Sequence, residues 1–286
     1  MNENKTYINW YPGHMAKTKN EIREKINLID IVYEIIDARM PISSKIVDID
    51  NVVKDKPRIL VVTKYDLCDK TETDKLLEKY KDYYIIKTNL NDDKNITKEI
   101  IRITNDLLKG INEKRREQGL KPRNYRSLVV GVPNVGKSTL INRLAGRNVV
   151  TTGNKAGVTK SLSWVRINKD IELLDSPGIL WPKIEDPIVG LNLASLTSIK
   201  EEILDRELIA SYIIKRYNLL YPEILKNKYG VDSIDESDLT ETFDLIGKKR
   251  GCLAGGGIVD YDKVYTVIIN DLKNGILRHF QEQEVL

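Results

Sequence analysis

The sequence predicts an α/β fold, a mostly parallel sheet with helices on both faces, followed by a small α-helical C-terminal domain. Three observations carry this. Val/Ile-rich runs of strand length alternate with longer helix-patterned segments over roughly the first 187 residues. A glycine-bearing loop, residues 131–136, falls between one such run and the start of a helical pattern. After about Pro187 the strand-like runs stop and helical patterns fill the rest.

Each element follows in order. Residues 14–28 predict a short amphipathic helix, with Ile22, Ile26 and Ile29 at helical spacing. The runs 31–36, 58–63 and 83–87 predict buried parallel strands, with helices over 73–80 and 97–117. Residues 127–132 predict a further strand, and 138–145 the helix after it. A strand pair is expected over 161–168 and 171–175, turning at Lys169-Asp170. Beyond that, 189–229, 237–247 and 261–274 predict helices, and the glycine-rich run 247–257 a flexible or tightly turning loop. The expected domains are residues 1–187 and 188–286.

Composition narrows the class. Hydrophobic residues are 41% and charged residues 31% of 286, which suits a folded core and offers no membrane-length apolar run. The first residues lack the apolar stretch of a secretory leader, so the expected location is cytoplasmic. Cys68 and Cys252 make neither a disulfide framework nor a zinc site. From Ser195 onward the chain carries 12 Lys/Arg and 16 Asp/Glu, leaving a net +8 on residues 1–194. Attraction to nucleic acid should therefore act through the first two thirds or a local basic face. Lys114–Arg126, with six Lys/Arg, reads as an exposed connector.

The run Gly131-Val-Pro-Asn-Val-Gly136-Lys137-Ser138-Thr139 matches the phosphate-loop pattern G-x-x-x-x-G-K-[ST]. Backbone N–H groups over Asn134, Val135, Gly136, Lys137, Ser138 and Thr139 are expected to wrap nucleotide phosphates. Lys137 adds charge at the β and γ positions, and the Ser138 hydroxyl holds magnesium. Downstream, Asp175-Ser-Pro-Gly178 ends an apolar run: Asp175 is a magnesium ligand and Gly178 a γ-phosphate contact. Thr159 lies between these elements and is the candidate switch threonine on the metal.

The guanine-reading element should come last. Instead its close relative Thr63-Lys64-Tyr65-Asp66 stands about 70 residues before the phosphate loop. The Asp66 carboxylate can accept from guanine N1–H and the exocyclic amine, a donor pair that adenine lacks. Lys64 can lay its stem over the base, and Thr63 replaces the usual asparagine. Thr88 is a second expected base-side contact. The order of motifs predicts a circularly permuted P-loop GTPase domain.

Three further segments bear on this. Trp10-Tyr-Pro-Gly-His14-Met-Ala-Lys17 resembles a W-[FY]-P-G-H-M-x-K start, Asp37-Ala-Arg-Met-Pro41 a D-A-R-x-P element, and Ile246-Gly-Lys-Lys-Arg-Gly-Cys252 an I-G-x-x-R-G-x signature. With them the chain resembles, over nearly its whole length, the ribosome biogenesis GTPase A (YlqF/RbgA) type of permuted GTPase. Departures are Thr63, Ala156 where proline is common, and the segment around Thr88. The resemblance implies GTP and GDP as ligands, Mg2+, and a precursor of the large (50S) ribosomal subunit as partner. It also implies an rRNA-contacting helical domain, where Lys248, Lys249 and Arg250 form a basic cluster. Neither DNA nor a membrane is expected as partner, and a monomer is expected.

Two mechanistic expectations follow. Ile179 stands where many GTPases place a water-orienting glutamine, so another group must act. His14 is the candidate, since an imidazole can orient or deprotonate water near neutral pH. Asn134, in a loop resembling G-x-P-N-x-G-K-[ST], is the candidate ligand of a potassium ion beside the phosphates. The rival readings are a GTP-gated RNA-binding scaffold with negligible turnover, kept open by Ile179, and an ATPase, opposed by Asp66.

Overall fold

Seven consecutive buried residues, Ile31–Asp37, form the strand β1 around which the sheet is built in the computed structural model of the chain. The structure describes residues 13–47, 49–53, 56–151, 162–180, 184–199 and 204–282. The other strands are β2 (Arg58–Thr63), β3 (Tyr84–Lys87), β4 (Tyr125–Val130), β5 (Ser163–Arg166) and β6 (Ile171–Asp175). Their order is β3-β2-β1-β4-β6-β5, parallel except for β5 against β6. The chain winds outward from β1 through β2 to β3, then returns to β4 and winds the other way. That reversal puts a topological switch point between β1 and β4, and a ligand crevice belongs at the carboxyl ends there.

Alternation along the strands explains why both faces are covered. Ile35, Ile59 and Val61 join one apolar layer, while their chain neighbours Ile36, Leu60 and Val62 join another. The first layer takes Ile96, Ile100 and Ile103 of α4 (Ile96–Glu117), and the second takes Leu77 of α3 (Lys70–Leu77). Glu34 interrupts the apolar run of β1 but is paired with Arg58 at 3.1 Å and Lys45 at 3.6 Å, which offsets its burial.

The remaining helices are α1 (Gly13–Lys25), α2 (Ile49–Val53), α5 (Lys137–Ala145), α6 (Pro187–Ser195), α7 (Arg206–Leu220), α8 (Pro222–Tyr229), α9 (Thr240–Arg250) and α10 (Tyr261–Lys273). Caps set several boundaries that periodicity misplaces. Asp69 accepts from the N–H groups of Thr71 and Glu72, so α3 starts before the expected Thr73. The single helix expected over 189–229 is three helices, because Asp205 caps α7 and Pro222 opens α8. The expected loop 247–257 is also corrected: residues 247–250 are the last turn of α9, which stops at Gly251 with φ 68°. Gly247 is there for close packing, since a Cβ would meet Val259 Cγ1 at 2.6 Å.

Among the described residues no strand follows β6, and no helix is long and apolar enough to cross a membrane. The apolar core continues from the sheet into α7, α9 and α10. The D-A-R element makes part of that junction: Arg39 clasps Asp37 with Nε and Nη2 at 3.0 and 2.9 Å, and donates Nη1 to the Leu272 carbonyl at 2.7 Å. The buried Glu282 carboxylate accepts from the Ile42 and Ser43 N–H groups.

Candidate functional site

A cavity of about 340 Å³ opens at the carboxyl ends of β2 and β4, with β1 between them. Its phosphate side is the loop from β4 into α5. A Cβ at Gly131 would meet the Ile35 carbonyl at 2.6 Å, so only glycine lets the loop lie against β1. Asn134 and Gly136 take left-handed φ values of 63° and 100°, which turn the chain into the first turn of α5. The N–H groups of that turn and the helix dipole suit an anion. Asn134, Val135, Gly136, Lys137, Ser138 and Thr139 all line the cavity.

Lys137 is buried, and its Nζ donates to the Gly131 and Val132 carbonyls at 3.1 and 3.2 Å. Burial lowers its pKa to about 8, with the Asp175 carboxylate opposing the shift. Asp175 ends β6, beside β4, and both its carboxylate oxygens are buried with no hydrogen-bond partner among the described residues. Burial raises its pKa to about 6, against the pull of Lys137. A buried carboxylate that interacts with Lys137, and the hydroxyl of Ser138, the next residue of α5, are the kinds of oxygen donor that suit magnesium. Gly178 presses on the loop, where a Cβ would stand 2.8 Å from Pro133 Cγ, and the Ile179 N–H donates to the Gly131 carbonyl at 3.2 Å. The buried Ile179 offers no group for a water.

On the base side, Asp66 lines the cavity. Lys64, at φ 56°, donates Nζ to Asp37 at 2.7 Å and to the Asn134 carbonyl at 2.8 Å, so one ammonium ties the ends of β1, β2 and β4. Thr63 is fully buried, with its hydroxyl 2.6 Å from the Val135 carbonyl and 3.1 Å from that of Ile36. It braces the phosphate loop and is also one of the residues lining the cavity. Thr88 is corrected. It is buried and donates its hydroxyl to Asp93 at 2.9 Å, while Asn89, Leu90 and Asn91 line the cavity in its place. Its carbonyl instead accepts from the Tyr65 N–H, which joins the two base-side loops.

Thr159 and the side chain of His14 lie outside the described residues; the backbone at position 14 belongs to α1. Leu196, Thr197, Lys273 and Asn274 complete the cavity wall. Sequence reading placed them in a separate helical domain, and no spacing signal could have found them. Asn89 to Asn91 could have been found as the residues just past the third strand.

Comparison with known proteins agrees with this geometry. Residues 126–221 match the family model described as 50S ribosome-binding GTPase. The chain is 44% identical over 272 residues to ribosome biogenesis GTPase A of Bacillus cereus, covering 94% of this chain and 91% of that protein. It is 45% identical over 267 residues to the Bacillus licheniformis protein of that name, covering 93% and 94%. Mitochondrial GTPase 1 of Aedes aegypti is 34% identical over 252 residues, covering 82% and 79%. A crystal structure of GNP-bound YlqF from T. maritima superposes with a TM-score of 0.63 at 24% identity, covering 94% of this chain and 98% of that one, which supports the fold. The loop of residues 63–66 precedes the phosphate loop in sequence but meets it at one cavity, and together with these identities this places the chain in the ribosome biogenesis GTPase A family of GTP hydrolases.

Proposed function

We propose that this chain hydrolyses GTP to drive a late step in assembly of the large (50S) ribosomal subunit, in the cytoplasm. It binds the precursor particle in the GTP state and leaves after hydrolysis. The observation that carries the reading is the convergence of Asp66 and Lys64 with Lys137 and Ser138 on one cavity. The assembly role draws on the names of the Bacillus relatives. In this reading Asp66 pairs with the guanine edge, and Lys137 meets the β and γ phosphates as its bonds to the loop carbonyls yield. Ser138 and Asp175, joined by Thr159, would hold a magnesium ion, which would supply positive charge to the phosphate oxygens. His14 orients the attacking water when the partner is bound, in place of the apolar Ile179. Asn134 holds a potassium ion beside the phosphates.

GTP turnover in potassium buffer, alone and with purified large or small subunits, tests this. Stimulation by large subunits, reduced roughly 100-fold or more by His14→Ala, is expected from a positioned acid or base. Stimulation that survives His14→Ala intact would remove His14 from the mechanism. A chain that binds large subunits in a GTP-dependent way but shows no turnover would support the scaffold reading, which the buried Ile179 favours.

A further inference from the structure

The segment after α6 closes over the phosphate loop, and its contacts fall on the residue read as the cation ligand. Asn134 donates Nδ2 to the Thr197 carbonyl at 2.6 Å and to the Thr197 hydroxyl at 3.0 Å. The next residue, Ser198, donates its hydroxyl to the Pro133 carbonyl at 2.8 Å. Thr197 is buried and holds a left-handed φ of 56°, a costly conformation for a β-branched residue. Asn134 is also left-handed, at φ 63°. Two strained backbone positions thus meet across one side-chain amide.

The chemistry of that amide fixes its direction. A backbone carbonyl can only accept, so the Thr197 carbonyl must face the nitrogen end of Asn134 and not the oxygen end. With both contacts made through Nδ2, Oδ1 is turned away from the Thr197 carbonyl. Asn134 lines the cavity beside Gly136, Lys137 and Ser138. An unprotonated amide oxygen there is a hard donor suited to an alkali-metal cation next to phosphates.

We propose that Thr197 is the positioning residue of Asn134: its hydroxyl, added to the contact that the carbonyl makes, holds the amide so that Oδ1 serves as a ligand for a monovalent cation. The proposal rests on the potassium reading above. It makes the wall that follows α6 part of the hydrolytic site, although sequence order assigns it to the helical part. Ser198 anchors the same segment through Pro133 and does not touch the amide.

The test is binding of a fluorescent GDP analogue with magnesium and aluminium fluoride to the full chain. It is titrated with potassium chloride against sodium chloride at matched ionic strength. Thr197→Val keeps the shape of the side chain and removes the hydroxyl. Half-saturating potassium is expected to rise about fivefold, the scale of one neutral hydrogen bond. Thr197→Ser should restore the original value, and Ser198→Ala should lower the melting temperature without moving it. Should Thr197→Val not fold, Thr197→Gly removes the same hydroxyl and accepts the left-handed φ freely. An unchanged potassium dependence in the folded variant overturns the role of Thr197. A wild-type chain that binds equally well in both salts overturns the potassium reading itself, and with it this proposal.

Discussion

Lys64 shows how much one side chain can join. Its ammonium spans Asp37 at the end of β1 and the Asn134 carbonyl in the phosphate loop. Burial by itself would raise the Asp37 carboxyl, but Arg39 and Lys64 outweigh it and hold that group well below the usual carboxylate range. The base-side loop is therefore fixed to the sheet by charge as well as by the brace from Thr63 to Val135. Asp66 carries no such structural duty and lines the cavity. Asp66→Asn should weaken GDP binding by roughly 100-fold or more, because a charge-assisted pair of hydrogen bonds is replaced by a mismatched amide. Competition between fluorescent GDP and ATP checks this. Preference for guanine that survives the substitution would move recognition to the Asn89–Asn91 wall. Thr63→Val should cost about 1 kcal/mol of stability through the lost brace, read from denaturant unfolding.

At the scale of elements, α9 and the turn after it are the informative case. Gly247 packs against Val259, and Gly251 ends the helix in a left-handed conformation. Gly247→Ala should cost roughly 1–3 kcal/mol by overpacking, although alanine is the better helix former. A fall in melting temperature checks this, and adding Val259→Ala should recover part of the loss by clearing the atom that the new methyl meets. Full stability in Gly247→Ala alone would mean that the turn carrying Val259 yields without cost. The same element places Arg250 against Asp271 of α10, so one member of the expected basic triplet is already paired. Lys248 and Lys249 are exposed, so two charges of the expected triplet stay at the surface.

For the whole molecule, the junction between sheet and helices depends on buried ionisable groups. Glu282 accepts from two backbone N–H groups in the turn after Arg39, and burial raises its pKa from 4.5 to about 7. The folded chain then holds a proton that the unfolded chain releases between those values. The stability this group contributes is complete below the lower value and is lost as pH climbs through the upper one. The loss amounts to on the order of 3 kcal/mol. Unfolding measured across that window should show the slope, and Glu282→Gln should flatten it. A slope that persists in the variant would assign the titration to another group. The contact matters beyond stability, because Arg39 also reaches the Leu272 carbonyl and the adjacent Lys273 and Asn274 wall the cavity.

The sheet, the motif order and the phosphate-loop pattern are legible along the chain. Strand alternation and a glycine-bearing turn are local properties, set by backbone sterics and by which neighbouring residues are apolar. The sequence also singles out Asp66, Lys137, Ser138 and Asp175 as candidates by their spacing to strand ends, and the first three line the cavity. It points to Thr88, whose hydroxyl bonds Asp93 while Asn89 lines the cavity, since a hydroxyl near a strand end gives no sign of whether it turns to the cavity or to a neighbouring carboxylate. Only the tertiary structure decided that Thr63 faces the loop, that Lys64 ties three strands, and that Thr197, Lys273 and Asn274 close the cavity. Those positions are 60 or more residues from the phosphate loop or the base-side loop they meet. Their placement comes from how helices bury apolar faces against the sheet, and no local pattern along the chain encodes that.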